Sequence, residues 1–179
     1  MPSPGLPIDL SREGGSGDEP SRGVLAPERV APTLIFAVGN LSRGDDAVGP
    51  LLADRLLAEA LSGIDVLVDF QLQVEHALDL EGRSRVIFVD ACVDTEAPCV
   101  VRALEADGGF AHTSHALAPA QVLETYRRVT GHEPPPAWLL GVRAQRFELG
   151  EGLSAEAARA CEAAWPKLLE LCGGAPTTS

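Results

Sequence analysis

The sequence predicts an α/β fold, a three-layer α/β/α sandwich with a twisted, mostly parallel sheet of about five strands. Short apolar runs of strand length alternate along the chain with segments whose apolar residues recur at helical spacing. Hydrophobic residues make up 45% of the 179 positions, so the chain can bury a core on both faces of a sheet. In such folds ligands bind at the carboxyl ends of the strands, and functional residues are therefore expected directly after strands.

The first half of the domain is predicted to run strand, turn, helix and two further strands. The uninterrupted apolar run at 33–38 is typical of a strand buried on both faces. A helix follows the turn and ends before Gly63. Its apolar positions at helical spacing are Val48, Leu51, Leu52, Leu56 and Ala60. Residues 64–69 and 85–90 predict two short strands that each end in an aspartate, with a partly helical segment at 71–82 between them.

The second half predicts two more strands and two helices. The strands are expected at 100–104 and 137–142. Between them a helix stops at Gly131 and carries Pro119 in its first turn, the part of a helix that tolerates proline. Ser154 is expected to cap the last helix. The residues expected in the first turn and on the inner face of that helix are Glu156, Cys161, Ala164, Trp165, Leu168 and Cys172.

The folded domain is expected to cover residues 32–172. Residues 1–31 are rich in Pro, Gly, Ser and charge and show no apolar period, so they predict a flexible tail. Residues 173–179 predict a second one. No apolar run reaches the roughly 20 residues that span a bilayer, and the N-terminus lacks a signal-peptide pattern, which favours a cytoplasmic protein.

The net charge of −12 excludes whole classes of partner. It leaves no basic surface to neutralise phosphates or anionic lipid, which argues against nucleic acids and membranes. A protein, a metal or a small molecule is the expected partner, and we expect a monomer. The four cysteines form no C-x-x-C pair, so they are expected to be free thiols rather than zinc ligands or a redox motif.

The turn after the first strand carries the clearest functional signal. Gly39-Asn-Leu-Ser-Arg-Gly44 has the spacing of a phosphate-binding loop, but Asp45 and Asp46 stand where that motif has Lys and Ser or Thr. Two carboxylates would repel a phosphate, so a cation is the better ligand. Asp at a helix start also caps free N–H groups. We assign that capping role to Asp45 and the functional role to Asp46.

Two later residues are expected to join Asp46. Asp90 closes the strand at 85–90, and His115 precedes a helix, so both can reach the same edge of the sheet. Two carboxylates and an imidazole suit zinc, nickel or another first-row ion and leave positions open for water or substrate. Taken singly, Asp90 is also consistent with a turn cap and His115 with a surface or capping residue. His112 could take the place of His115.

Other candidates are weaker. His76 and His132 lie in polar stretches and are expected to be solvated. Cys92 could be a soft ligand or a nucleophile paired with His115, giving a cysteine hydrolase. A small buried hydrophobe is the interpretation that we favour for it.

These segments together resemble the hydrogenase maturation proteases, which remove a C-terminal extension from the large subunit of nickel-iron hydrogenases. The resemblance covers nearly the whole domain. Its most specific part is Phe36-Ala-Val-Gly-Asn-Leu-Ser-Arg-Gly-Asp-Asp-Ala-Val-Gly49. The strand Val86-Ile-Phe-Val-Asp-Ala91, the segment Thr113-Ser-His-Ala-Leu117 and a late apolar strand ending in Gly141-Val142 follow in the family's order.

The resemblance implies that Asp46, Asp90 and His115 bind a metal and are the catalytic residues. They would recognise nickel already inserted into the large-subunit precursor, so that cleavage follows metal loading. The activity implied is that of an endopeptidase, aspartic-type or metal-assisted, and the same site in the isolated protein would accept nickel, zinc or cadmium. A non-catalytic metal-sensing chaperone of the immature subunit is the alternative.

One segment departs from the commonest family pattern. Many members have a D-G-G-T-like turn after the second strand, whereas this chain has Asp69-Phe-Gln-Leu-Gln-Val-Glu75. Gln71, Gln73 and Glu75 are therefore candidate specificity residues, with a polar solvent-facing loop as the other interpretation.

Overall fold

The computed structural model describes residues 30–106 and 117–173. His112 and His115 lie outside the described residues, as do most of the two tails predicted at the chain ends. The expectations for these residues therefore stay predictions.

A five-stranded sheet forms the centre of the domain, in the order β2-β1-β3-β5-β4. Its strands are β1 (Thr33–Val38), β2 (Ile64–Asp69), β3 (Arg85–Cys92), β4 (Cys99–Leu104) and β5 (Ala137–Arg143). The pairs β1·β2, β1·β3 and β3·β5 are parallel, and within the described ranges only the edge strand β4 runs antiparallel to its neighbour. The predicted mostly parallel sheet is confirmed.

Helices cover both faces of the sheet. They are α1 (Val48–Ala58), α2 (Pro119–Thr130), α3 (Ala155–Gly173) and the 3-10 helices Gly44–Ala47 and Val74–Leu80. One core lies between the sheet and α1 with α3, and the other between the sheet and α2 with Val74–Leu80. This arrangement confirms the three-layer sandwich.

The burial of the interior strand β1 explains its continuous apolar run. All six of its residues are buried, because successive side chains point to opposite faces and both faces are covered. Ile35 packs in the core with α1 and α3, whereas Leu34 and Phe36 pack in the core with α2.

Several predicted helix ends are confirmed. Pro119 is the first residue of α2, and Gly131 follows its end with a left-handed φ of 74°. The Ala157 N–H donates to Ser154 Oγ at 3.1 Å, so Ser154 caps α3 as expected. None of the helices in the described ranges is long and apolar enough to cross a membrane.

Two element ends differ from expectation. The first helix stops at Ala58 instead of continuing toward Gly63, and Ala60 has a left-handed φ of 48° that a helix cannot contain. Strand β3 continues past Asp90 to Cys92, because β5 offers it two more pairing positions. Asp90 therefore lies inside the strand and does not end it.

Candidate active site at the carboxyl edge of the sheet

The turn between β1 and α1 folds back on itself. The Asn40 N–H donates to the Asp46 carbonyl oxygen at 3.2 Å, and the Gly39 N–H donates to the Asp69 carbonyl oxygen at 3.0 Å. Gly39 has a φ of 139°, and a Cβ there would lie 2.0 Å from the Asp46 oxygen. Only glycine fits at this position, and it brings Asp46 back to the end of β1.

Gly49 brings the start of α1 against the sheet. A Cβ at Gly49 would lie 2.3 Å from the Val38 carbonyl oxygen and 3.0 Å from that of Val89. The helix therefore begins in direct contact with the ends of β1 and β3, and the 3-10 helix Gly44–Ala47 contacts β3. This close approach places Asp46 beside Asp90.

We expect Gly49→Ala to lower the free energy of unfolding by about 1–3 kcal/mol, the usual cost of overpacking, since the added methyl meets rigid backbone rather than a flexible side chain. Urea denaturation measures the change. Gly152→Ala is the matched control, because no atom lies within 4 Å of the Cβ that it adds. Equal midpoints for the two variants would contradict the close approach.

Asp46 and Asp90 interact through their charges. Burial raises the pKa of Asp90 to about 6, and the negative charge of Asp46 raises it further. The Ala91 N–H, which donates to Asp90 Oδ1 at 2.7 Å, acts in the opposite direction. The pKa of Asp46 is also raised, chiefly by burial, against the opposing effects of the Arg43 charge and the Asn40 N–H. Two half-buried carboxylates thus lie close enough to repel, and a bound cation or a shared proton would relieve that repulsion.

Asp45 does something other than the helix capping that we assigned to it. Its side chain is fully buried, and the start of α1 has no side-chain cap. Asp45 Oδ2 accepts the N–H groups of Gln145 and Arg146, each at 3.0 Å. Ser154 donates its N–H to Oδ1 at 2.8 Å and its hydroxyl to Oδ2 at 3.0 Å. The capping prediction is wrong because the carboxylate points away from α1, toward the segment that follows β5.

The four hydrogen bonds decide the charge state of Asp45. Burial acts to raise its pKa, but the donors from Gln145, Ser154 and Arg146 together outweigh burial and lower it. Asp45 is therefore held as an anion that joins the turn to residues 145–154. Its role in the site is to position the turn that carries Asp46.

We expect Asp45→Asn to lower the free energy of unfolding by about 3 kcal/mol. The amide group of asparagine would place its own N–H groups against backbone N–H groups that now donate to the carboxylate, and the buried hydrogen bonds would be lost. Thermal or urea denaturation near neutral pH tests this. The exposed Asp54 offers a matched control. If Asp54→Asn and Asp45→Asn unfold alike, the network does not hold the turn.

His76 is not solvated, contrary to expectation. Its side chain is 12% exposed, and its ring lies against Phe36 with centroids 5.2 Å apart. Nδ1 accepts the Gln73 N–H at 3.0 Å, and Nε2 lies 3.3 Å from Asp69 Oδ2. The sequence signals that could have found this pair are the aspartate at the end of β2 and the three-residue spacing of a capping box from Gln73 to His76.

Asp69 lies on the same sheet face as Asp90. It pairs in register with Val38, whose side chain packs in the α2 core together with Phe88. Asp90 follows Phe88 by two residues in β3 and so shares its face. Asp46 follows β1, Asp69 ends β2 and Asp90 lies near the end of β3, so the three carboxylates belong to adjacent strands at one edge of the sheet. Asp69 is the one that was not predicted to belong to the site.

His132 and the cysteines show no sign of a catalytic role in the described residues. His132 is exposed, as expected. Cys92 is half-buried and lies over Gly141, whose added Cβ would come within 3.4 Å of the thiol sulfur, consistent with a small hydrophobe. Burial raises the pKa of Cys161 and Cys172 to about 11, which makes them poor nucleophiles.

In the segment 69–75, one of the three candidate specificity residues faces the site and the other two face solvent. Gln71 and Glu75 are exposed. Gln73 is half-buried, and its Nε2 lies 3.5 Å from Asp69 Oδ2. Gln73 therefore faces the edge that carries the carboxylates, whereas the other two face solvent.

The predicted third ligand, His115, lies outside the described residues. Within residues 30–106 and 117–173 no group of three His, Cys, Asp or Glu side chains is arranged to hold a metal ion. The chain resumes at Leu117, whose N–H donates to the Leu72 carbonyl oxygen at 3.3 Å. The structure thus brings Asp46 and Asp90 together and describes an anchor two residues after His115.

No protein-family model and no curated protein sequence matches the chain. Solved structures do. The hydrogenase maturating endopeptidase HybD from E. coli is 25% identical, with a TM-score of 0.63 over 77% of this chain and 90% of that one. The hydrogenase 2 maturation peptidase from Thaumarchaeota archaeon SCGC_AB-539-E09 is 26% identical, with a TM-score of 0.58 over 79% and 97%.

A third match shows the same fold at lower identity. The [NiFe] hydrogenase maturation protease HycI from Thermococcus kodakarensis KOD1 is 23% identical, with a TM-score of 0.59 over 80% of this chain and 94% of that one. The matches cover most of this chain and nearly all of each neighbour, so the likeness is one of whole domains. The chain therefore has the fold of the hydrogenase maturation endopeptidases, as the resemblance of its motifs predicted.

Proposed function

We propose that this chain is an endopeptidase that removes the C-terminal extension of a nickel-iron hydrogenase large-subunit precursor after nickel insertion. The observation that carries the proposal is the pair Asp46 and Asp90, which repel each other at the carboxyl edge of the sheet. The structural neighbours named as maturation endopeptidases support the protease role.

Asp90 suits proton transfer in peptide hydrolysis. A carboxylate with a pKa of about 6 is largely ionised at neutral pH, yet it is a stronger base than an exposed aspartate. Its Oδ1 is occupied by the Ala91 N–H, which favours Oδ2 as the atom that takes a proton from the attacking water. The water oxygen bonds to the scissile carbonyl carbon, Asp90 passes the proton to the amide nitrogen, and the C–N bond breaks.

The donor set also fits a metal in the substrate. Burial raises the pKa of both carboxylates, and the Asp46 charge raises that of Asp90 further, so a divalent cation would bind favourably by offsetting their negative charge. If His115 reaches them as proposed, its imidazole would complete a mixed oxygen and nitrogen set of the kind that nickel and zinc accept. Asp46 and His115 would recognise the nickel in the precursor, and the nickel would supply positive charge close to the scissile bond.

Mass spectrometry of the product tests the proposal. The purified chain is incubated with a large-subunit precursor that carries nickel, and in parallel with the nickel-free precursor. We expect the loaded precursor to lose a C-terminal peptide and the nickel-free one to keep its mass. A loaded precursor that binds the chain but keeps its mass would favour the alternative, a metal-sensing chaperone.

A further inference from the structure

A cleft of about 640 Å³ opens beside the turn that carries Asp46. One wall is the start of the turn, with Asn40 and Leu41, and the other is the end of β2, with Val68 and Phe70. Because the Asn40 N–H binds the Asp46 carbonyl oxygen, the cleft and the proposed catalytic site share the same turn.

The walls of the cleft are apolar and open to solvent. Leu41 is 55% exposed, Val68 49% and Phe70 70%. Large apolar side chains that converge on one cleft mark an interaction surface. Contact with a partner would remove their apolar surface from water, which is favourable. Phe70 directly follows Asp69, the last residue of β2, and is the most exposed of the three.

The backbone beside the cleft is suited to binding an extended peptide. Strand β2 is an edge strand that, within the described residues, pairs only with β1. The N–H and C=O groups on its outer side are therefore available to a further strand. A peptide added there receives main-chain hydrogen bonds, and alternate side chains of the peptide contact the surface below it.

The cleft also holds one fixed polar acceptor. Asp69 contributes to its lining, and its side chain is 34% exposed. The carboxylate is oriented by the Phe70 N–H at 2.6 Å, by His76 Nε2 at 3.3 Å and by Gln73 Nε2 at 3.5 Å. Among the residues that the structure describes, no Lys or Arg lines the cleft, so it favours an uncharged or basic peptide over an acidic one.

We propose that this cleft binds the extended peptide that flanks the scissile bond, with a bulky apolar side chain against Leu41, Val68 and Phe70. This inference rests on the proposed peptidase function. It assigns the apolar residues the role of substrate docking and leaves the chemistry to the carboxylates.

Steady-state processing of the nickel-loaded precursor tests the docking role through Phe70→Ser and Leu41→Ser. We expect each to raise KM about tenfold, as loss of one apolar contact does, and to leave kcat within about twofold. Phe70→Tyr keeps the aromatic ring, so its KM should be close to that of the unmodified chain. Leu57→Ser is the matched control, because Leu57 is 57% exposed and lies in the last turn of α1, at the far end from the turn.

The outcomes separate the two proposals. If the unmodified chain does not cleave the loaded precursor, the peptidase function fails and the docking role fails with it. If the unmodified chain cleaves and Phe70→Ser has the KM of Leu57→Ser, only the docking role is overturned. A fall in kcat at constant KM would also overturn it, and melting temperatures equal to that of the unmodified chain confirm that each variant is folded.

Discussion

Asp90→Asn is expected to slow processing of the nickel-loaded precursor about 10²–10⁴-fold, because the amide cannot take a proton from water. The rate is measured from the appearance of the shortened subunit by mass spectrometry. The matched control is Asp94→Asn, an exposed neighbour in the following loop. Full activity of Asp90→Asn would remove Asp90 from the mechanism.

The same substitution should stabilise the protein. Folding raises the pKa of Asp90 from 3.8 to about 6, so the folded state binds the proton more tightly than the unfolded chain. The free energy of unfolding therefore falls as pH rises between about 4 and 6, and the penalty is complete at neutral pH. Asparagine has no such penalty and keeps an acceptor for the Ala91 N–H.

Urea denaturation at two pH values checks this stabilisation. Asp90→Asn should exceed the unmodified chain by about 2 kcal/mol near pH 7.5, and the advantage should shrink to less than half near pH 4.5. A variant that is less stable than the unmodified chain at both values would show that Asp90 is a structural residue. Slower processing together with higher stability is the expected signature of a functional carboxylate held at a cost to the fold.

His115→Ala is expected to reduce processing of the loaded precursor by about 100-fold or more, because it removes the nitrogen ligand of the proposed set. His132→Ala provides the control, since His132 is an exposed histidine at the end of α2. The same pair of variants is titrated with Zn²⁺ by calorimetry. If both variants process and titrate alike, His115 is not a ligand, and His112 becomes the residue to substitute.

The layer order and most element ends could be predicted from the sequence because local signals agree with the fold. The continuous apolar run of β1, Pro119 at the start of α2 and Ser154 at the start of α3 each reflect a local physical requirement. The end of β3 could not be predicted, because its last residues are strand only through pairing with β5, about fifty residues away along the chain.

Part of the site could also be predicted from the sequence. Asp46 and Asp90 follow from the rule that functional residues collect at the carboxyl ends of parallel strands. Asp45 was misassigned because its partners, Gln145 and Ser154, are about a hundred residues away, and no local pattern reports them. The burial of His76, in the 3-10 helix Val74–Leu80, was not predicted because the ring packs against Phe36 of β1, forty residues earlier in the chain.

The hydrogen bonds of Asp45 also bear on how the chain is made. They span 100 to 109 positions and join the first turn of the domain to the segment just before the last helix. During synthesis from the N-terminus, the turn emerges long before residues 145–154 do, and until then the Asp45 carboxylate lacks the donors that compensate its burial. The hydrogen bonds that hold the turn carrying Asp46 can therefore form only after residues 145–154 have emerged.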